Sequence, residues 1–130
     1  MDYLKQKKGF LGYEEGLKIE NKVVIIPFGL EKSVSYGGGT KNGPKEIIKA
    51  SHQVELFDED LNKEPYKYIG IKTLKPFPIK KKLESALDQL GKINKRVLSE
   101  NKFPLVLGGE HSITPGSIKP FVEKYEELII

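Results

Sequence analysis

The apolar positions along the chain fall into short runs whose spacing predicts alternating strands and helices. Val23-Val24-Ile25-Ile26 is β-branched and closed by Pro27, the pattern of a buried strand. Phe103-Pro104-Leu105-Val106-Leu107 is a second such run, and its consecutive apolar residues suit a strand covered on both faces. Between them Leu83, Ala86, Leu87, Leu90, Ile93, Val97 and Leu98 recur at three- and four-residue intervals, predicting a helix from Ile79 to Asn101. Gly91 inside it costs about 1 kcal/mol relative to alanine. Tyr66-Lys67-Tyr68-Ile69-Gly70-Ile71 alternates weakly and reads as a further strand, followed by a proline-bearing connection from Lys72 to Pro78.

Asn42-Gly43-Pro44 opens another helix, with Pro44 at its first position, Ile47, Ile48 and Ala50 on its buried side and Lys45, Glu46 and Lys49 in water. Ser51 to Pro65 reads as loop anchored by Val54, Leu56 and Phe57, with Asp58-Glu59-Asp60 exposed. Ile118, Phe121, Val122 and Tyr125 predict a last helix, expected to start near Pro120 because proline is tolerated in a first turn. Leu128-Ile129-Ile130 reads as the beginning of a buried strand. Residues 1–21, interrupted by Gly9, Gly12 and Gly16, are expected to form an irregular arm that packs on a further part of the protein or on another subunit. Strand and helix in alternation imply right-handed βαβ units and a parallel sheet with helices on both sides. The strands at Val23–Ile26 and Leu105–Leu107 are expected to be parallel neighbours.

Composition narrows the classes without choosing among them. A chain of 130 residues with 38% hydrophobic residues has the size and core material of one domain. The amino end lacks the apolar core of a signal peptide, and no stretch approaches the roughly 18 apolar residues of a membrane helix. The absence of cysteine removes thiolate ligands and fits a cytoplasmic setting. Net charge is +4, but among the 22 basic residues only Arg96 is arginine, and 18 acidic residues are interleaved with them. That is a solvated surface; a nucleic-acid face would show a basic stripe with arginines and stacking aromatics.

The candidate chemistry lies where the second strand stops, at Gly108-Gly109-Glu110-His111. Ligands of open parallel sheets bind at the carboxyl ends of strands, and a neutral imidazole there can bind metal or take a proton. The competing reading is a glycine turn with an incidental histidine. His52, in a polar segment after the first helix, reads as surface or structural. The run Gly37-Gly38-Gly39-Thr40-Lys41-Asn42-Gly43-Pro44 is not a phosphate loop: Pro44 stands where a Walker lysine is required, and Asn42 where a dinucleotide fingerprint needs glycine or alanine. It reads as a substrate border or as a flexible connection.

Gly108-Gly109-Glu110-His111-Ser112 resembles the first metal-binding motif of the ureohydrolases, the arginases and agmatinases, with the pattern Gly-Gly-(Asp or Glu)-His-Ser. The resemblance continues upstream through Ile26-Pro27-Phe28-Gly29, Ser35-Tyr36, Gly39-Thr40, Asn42-Gly43-Pro44, Glu46-Ile47 and Glu55-Leu56-Phe57-Asp58, in the order agmatinase-like members show them. It implies a three-layer α/β/α fold of the arginase/deacetylase type, incomplete in this chain, with residues 22–130 as the amino-terminal part of a ureohydrolase domain. It implies His111 as a metal ligand, Gly108, Gly109, Glu110 and Ser112 as its support, and Ser35, Tyr36, Gly39, Thr40 and Asn42 as a substrate entrance. The implied reaction is hydrolysis of a small guanidino compound such as agmatine, to putrescine and urea, by two Mn²⁺ ions in a homo-oligomer. Arginase or another guanidino-acid hydrolase is the enzymatic alternative; a non-catalytic remnant or interaction module, and a ligand-binding module built on the glycine loop, are the others.

A two-ion site needs several carboxylates beside its histidines. The aspartates here are Asp2, Asp58, Asp60 and Asp88, none at the end of a predicted strand. In the resembling family the other ligands come from Asp-Ala-His-x-Asp and Asp-x-Asp motifs, the first expected just past Ile130. No residue of this chain is assigned a catalytic role, and the chain alone is expected to be inactive.

Overall fold

The computed structural model describes residues 1–14, 16 and 18–129. Three parallel strands form one sheet: β1 (Val23–Phe28), β2 (Ile71–Thr73) and β3 (Phe103–Gly108), in the order β2-β1-β3. β1 and β3 pair over six residues from Val23 opposite Phe103 to Phe28 opposite Gly108. The expected parallel adjacency is therefore present. The helices are α1 (Gly43–Ala50), the single turn α2 (Tyr66–Ile69), α3 (Leu83–Ser99) and α4 (Thr114–Lys124). The chain steps from β1 to β2 in one direction and from β2 across β1 to β3 in the other, so two right-handed crossovers set α1 and α3 on opposite faces. No described helix is long and apolar enough to cross a membrane.

The main core lies under α3. Val24, Ile26 and Phe28 alternate onto one face of β1 and meet Ala86, Leu90 and Val97 of α3 and Ile113, all buried. Ile25 points to the other face and is equally buried. α3 is shorter than its periodicity predicts. Its first periodic residue, Leu83, is exposed, and Asn101, at φ 55°, makes the left-handed turn that leads into β3.

Several expectations are corrected. Tyr66–Ile69 is a helical turn, not a strand: Pro65 already has helical dihedrals, and Gly70, at φ 61°, ends the turn. A Cβ on Gly70 would lie 2.3 Å from the Glu20 carbonyl oxygen, so the crossing admits only glycine. The strand instead starts at Ile71 and takes in Lys72 and Thr73 of the expected connection. α4 begins at Thr114 rather than near Pro120. Pro115 occupies its first turn, and the buried Pro120 is tolerated mid-helix because α4 is held by α3, with Asn94 Nδ2 donating to the Ser117 carbonyl at 3.0 Å. On α1, Ile48 and Pro44 are buried while Ile47 and Ala50 are exposed. Val54 and Phe57 are exposed as well and anchor little. Phe103 and Leu105 leave one face of β3 open, so that strand is not covered on both sides. Leu128 and Ile129 are exposed and outside any strand, and Ile130 lies outside the described residues.

The amino-terminal arm packs on this chain's own sheet. Tyr3 forms an antiparallel bridge with Leu74, Leu4 N–H donates to the Thr73 carbonyl at 2.8 Å, and Phe10 N–H to the Thr73 hydroxyl at 2.8 Å. The buried Tyr13 hydroxyl donates to the Ile71 carbonyl at 2.9 Å and its ring packs on Tyr66 at 4.7 Å between centroids. The outer edge of β2 is thereby covered.

This core distribution separates two neighbouring kinds of apolar residue. Leu90→Ala should cost about 3 kcal/mol in urea denaturation through the cavity it leaves, whereas Ile47→Ala, on a half-open surface, should cost about 0.5 kcal/mol. Equal losses would contradict the packing described.

Candidate functional site

Two loops leave the carboxyl edge of the sheet side by side. Residues 29–42 connect β1 to α1, and residues 109–110 connect β3 to a 3-10 turn, His111–Ile113, that runs into α4. Gly109 N–H donates to the Phe28 carbonyl at 3.3 Å, and Glu110 N–H to the Leu30 carbonyl at 3.0 Å. The approach is too close for a side chain, since a Cβ on Gly109 would sit 2.1 Å from the Leu30 carbonyl oxygen. Gly109 is thus required by packing between the two loops, whereas a Cβ on Gly108 would meet the Ile113 side chain of its own turn.

Glu110 ties them together chemically. Its buried carboxylate accepts hydrogen bonds from Lys32 N–H at 2.6 Å, Ser33 N–H at 2.8 Å, the Ser33 hydroxyl at 2.9 Å and the Ser112 hydroxyl at 2.6 Å. Burial opposes its ionisation, but the bonds from Ser112, Ser33 and Lys32 outweigh that and hold its pKa at about 2, below the ordinary 4.5. Both oxygens accept two hydrogen bonds each, so this acid ties the two loops together.

His111 stands next to it, exposed, with its carbonyl accepting from the Thr114 hydroxyl at 2.8 Å and its ring free of hydrogen bonds among the described residues. An exposed imidazole at the mouth of two strand-end loops suits one metal-ligand position. The described residues contain no group of three or more His, Cys, Asp or Glu that could hold a metal ion. This donor set therefore fits a single nitrogen ligand and does not fit a two-ion centre.

The residues expected at the entrance all lie on the loop that Glu110 holds. Ser35, Tyr36 and Gly39 are exposed, Tyr36 almost completely at 99%, while Thr40–Asn42 forms a 3-10 turn that feeds α1. His52 lies apart from this site, its Nε2 2.8 Å from the Gly9 carbonyl, where it fastens the arm. Sequence reading missed Ser33 and Glu31. Glu31 accepts from Gly39 N–H at 2.5 Å and Lys41 N–H at 3.2 Å, a contact across eight and ten residues for which no local pattern exists.

Three parallel strands with a glycine-tied histidine turn at their carboxyl edge form the strand-end site of an open α/β fold. The chain belongs to the Arginase family, whose model matches residues 21–130. It is 34% identical over 113 residues to an agmatinase of Bacillus cereus, covering 85% of this chain and 38% of that protein. It is 30% identical over 102 residues to an N(1)-aminopropylagmatine ureohydrolase of Synechocystis, covering 75% and 33%. Among solved structures, the agmatine ureohydrolase of Thermoplasma volcanium superposes with a TM-score of 0.72 at 29% identity, over 87% of this chain and 38% of that one. The chain thus spans little more than a third of the length of these relatives, and the matched stretch is their amino-terminal part.

The Glu110 contacts carry a pH signature. Because the folded-state pKa lies below the ordinary value, the stabilisation is complete above pH 4.5 and is lost as pH falls toward about 2. Carboxyl-resolved NMR titration should place Glu110 at that low value, and protection of the Lys32 and Ser33 amides, relative to the intrinsic exchange rate at each pH, should fall across the same window. Glu110→Gln should exchange fast at every pH; a Glu110 titrating near 4.5 would disprove the arrangement.

Proposed function

We propose that this chain is the amino-terminal part of an agmatinase-type ureohydrolase, which hydrolyses a guanidino C–N bond to release urea. The observation that supports this most directly is the Glu110 carboxylate, which joins the histidine loop and the β1–α1 loop into one strand-end rim. In this reading residues 22–130 belong to the catalytic domain and residues 1–21 are an arm. The guanidinium carbon is a poor electrophile because resonance spreads its charge. A pair of divalent ions, here Mn²⁺, supplies hydroxide at neutral pH when bound.

The residues of this chain have narrower duties. His111 offers one neutral ring nitrogen as a metal ligand. Glu110, Ser112, Gly108 and Gly109 fix where that ring stands. Ser35, Tyr36, Gly39, Thr40 and Asn42 border the substrate entrance. The other ligands come from aspartate and histidine motifs outside these 130 residues, in a cytoplasmic homo-oligomer. The substrate is agmatine, in keeping with the Bacillus cereus relative; the Synechocystis relative favours N(1)-aminopropylagmatine as a second reading.

Urea release and Mn²⁺ retention test the proposal together. The 130-residue chain should show neither, and a polypeptide extended through the Asp-Ala-His-x-Asp and Asp-x-Asp motifs should show both. In the extended protein His111→Ala should lose roughly two orders of magnitude in turnover, about 3 kcal/mol of barrier, and weaken metal retention, while His52→Ala changes neither. Hydrolysis by the short chain, or full activity in extended His111→Ala, would overturn the assignment.

A further inference from the structure

The β1–α1 loop is held at both shoulders and free at its apex. On one side Glu110 takes the backbone of Lys32 and Ser33. On the other, Glu31 takes Gly39 N–H and Lys41 N–H, and its second oxygen lies 3.4 Å from Lys41 Nζ. At the base the chain closes on itself, for a Cβ on Gly29 would sit 2.1 Å from the Lys41 carbonyl oxygen. Residues 34–38 span the gap between these ties. No Cβ built at Gly37 would find an atom within 4 Å, and Tyr36 projects with 99% of its surface open.

Both carboxylates at this rim already have partners within the chain: Glu110 takes backbone N–H groups and two hydroxyls, and Glu31 takes two backbone N–H groups on one oxygen and faces the Lys41 ammonium with the other. What the apex offers instead is an aromatic ring, whose face attracts organic cations. A ring on an untied loop would lose that attraction to the entropy of ordering the loop; ties at both shoulders remove most of this cost in advance.

We propose that Glu31 is a positioning residue that presets this rim and thereby presents Tyr36 to the ammonium end of a guanidino amine. The inference rests on the ureohydrolase reading and keeps the substrate proposed there; what it adds is the role of Glu31 in holding the rim. Glu31 acts through the loop and touches no substrate; Tyr36 makes the contact.

Two measurements separate these roles. In the 130-residue chain, Glu31→Ala should abolish protection of the Gly39 and Lys41 amides in hydrogen exchange, and Tyr36→Ala should leave it intact. In the extended protein, Glu31→Ala and Tyr36→Ala should each raise KM for agmatine about tenfold, the worth of one cation–ring contact, with kcat and bound Mn²⁺ unchanged. Tyr36→Phe, which keeps the ring, should restore the parent KM. With butylguanidine, the same carbon chain without the amine, KM should be indifferent to either substitution. An equal KM change for both compounds, a fall in bound Mn²⁺ in Glu31→Ala, or unchanged exchange at Gly39 would overturn the proposal. If the extended parent releases no urea, the hydrolase reading fails and takes the substrate assignment with it; the exchange result then judges the clamp alone.

Discussion

A buried carboxylate with no cationic partner among the described residues holds the strand-end loops of this protein in place. Taking an ionised acid out of water is costly unless its oxygens are satisfied. Glu110 meets that requirement with four donors, two backbone N–H groups and two hydroxyls, gathered from two loops that are more than seventy residues apart in sequence. Because the compensation comes from oriented dipoles and not from an ion pair, it is directional: the donors must all point inward together. The histidine turn and the glycine-rich loop therefore have one relative arrangement, and moving either leaves charge or donors unsatisfied.

The same logic explains why the loops meet there at all. β1 and β3 are hydrogen-bonded neighbours in a parallel register, so their carboxyl ends finish on one edge, and Gly109 lets the chains touch immediately beyond it. The sheet supplies coarse placement, glycine supplies close approach, and the carboxylate supplies the final alignment. His111 depends on all three while making none of these contacts with its own ring.

β1, β3 and α3 were legible in the sequence because burial dominates them: β-branched runs and a sustained three- and four-residue period survive any context. The loop after β1 was legible as a connection leaving the carboxyl edge of the sheet for the same reason, once β1 itself was placed. Tyr66–Ile69 was not, since a single helical turn has no periodicity of its own, and alternating Tyr and Lys imitates a strand when the contacts of Tyr66 with Tyr13 are unseen. The start of α4 was hidden by Pro120, whose helical position is tolerated only because α3 lies against it. Glu31 and Ser33 illustrate a harder limit. The partners of Glu31 are backbone amides, which carry no residue identity for a pattern to detect, and Ser33 gives its amide and hydroxyl to Glu110, far away in sequence.

The covered and uncovered sides of the sheet have unequal futures. The arm occupies the outer edge of β2 through Tyr3, Leu4 and Tyr13. The opposite edge, along β3, has no strand beside it among the described residues. Growth of this sheet is therefore one-way: a further strand, from the same polypeptide or from a second molecule, finds a single open lane beside β3.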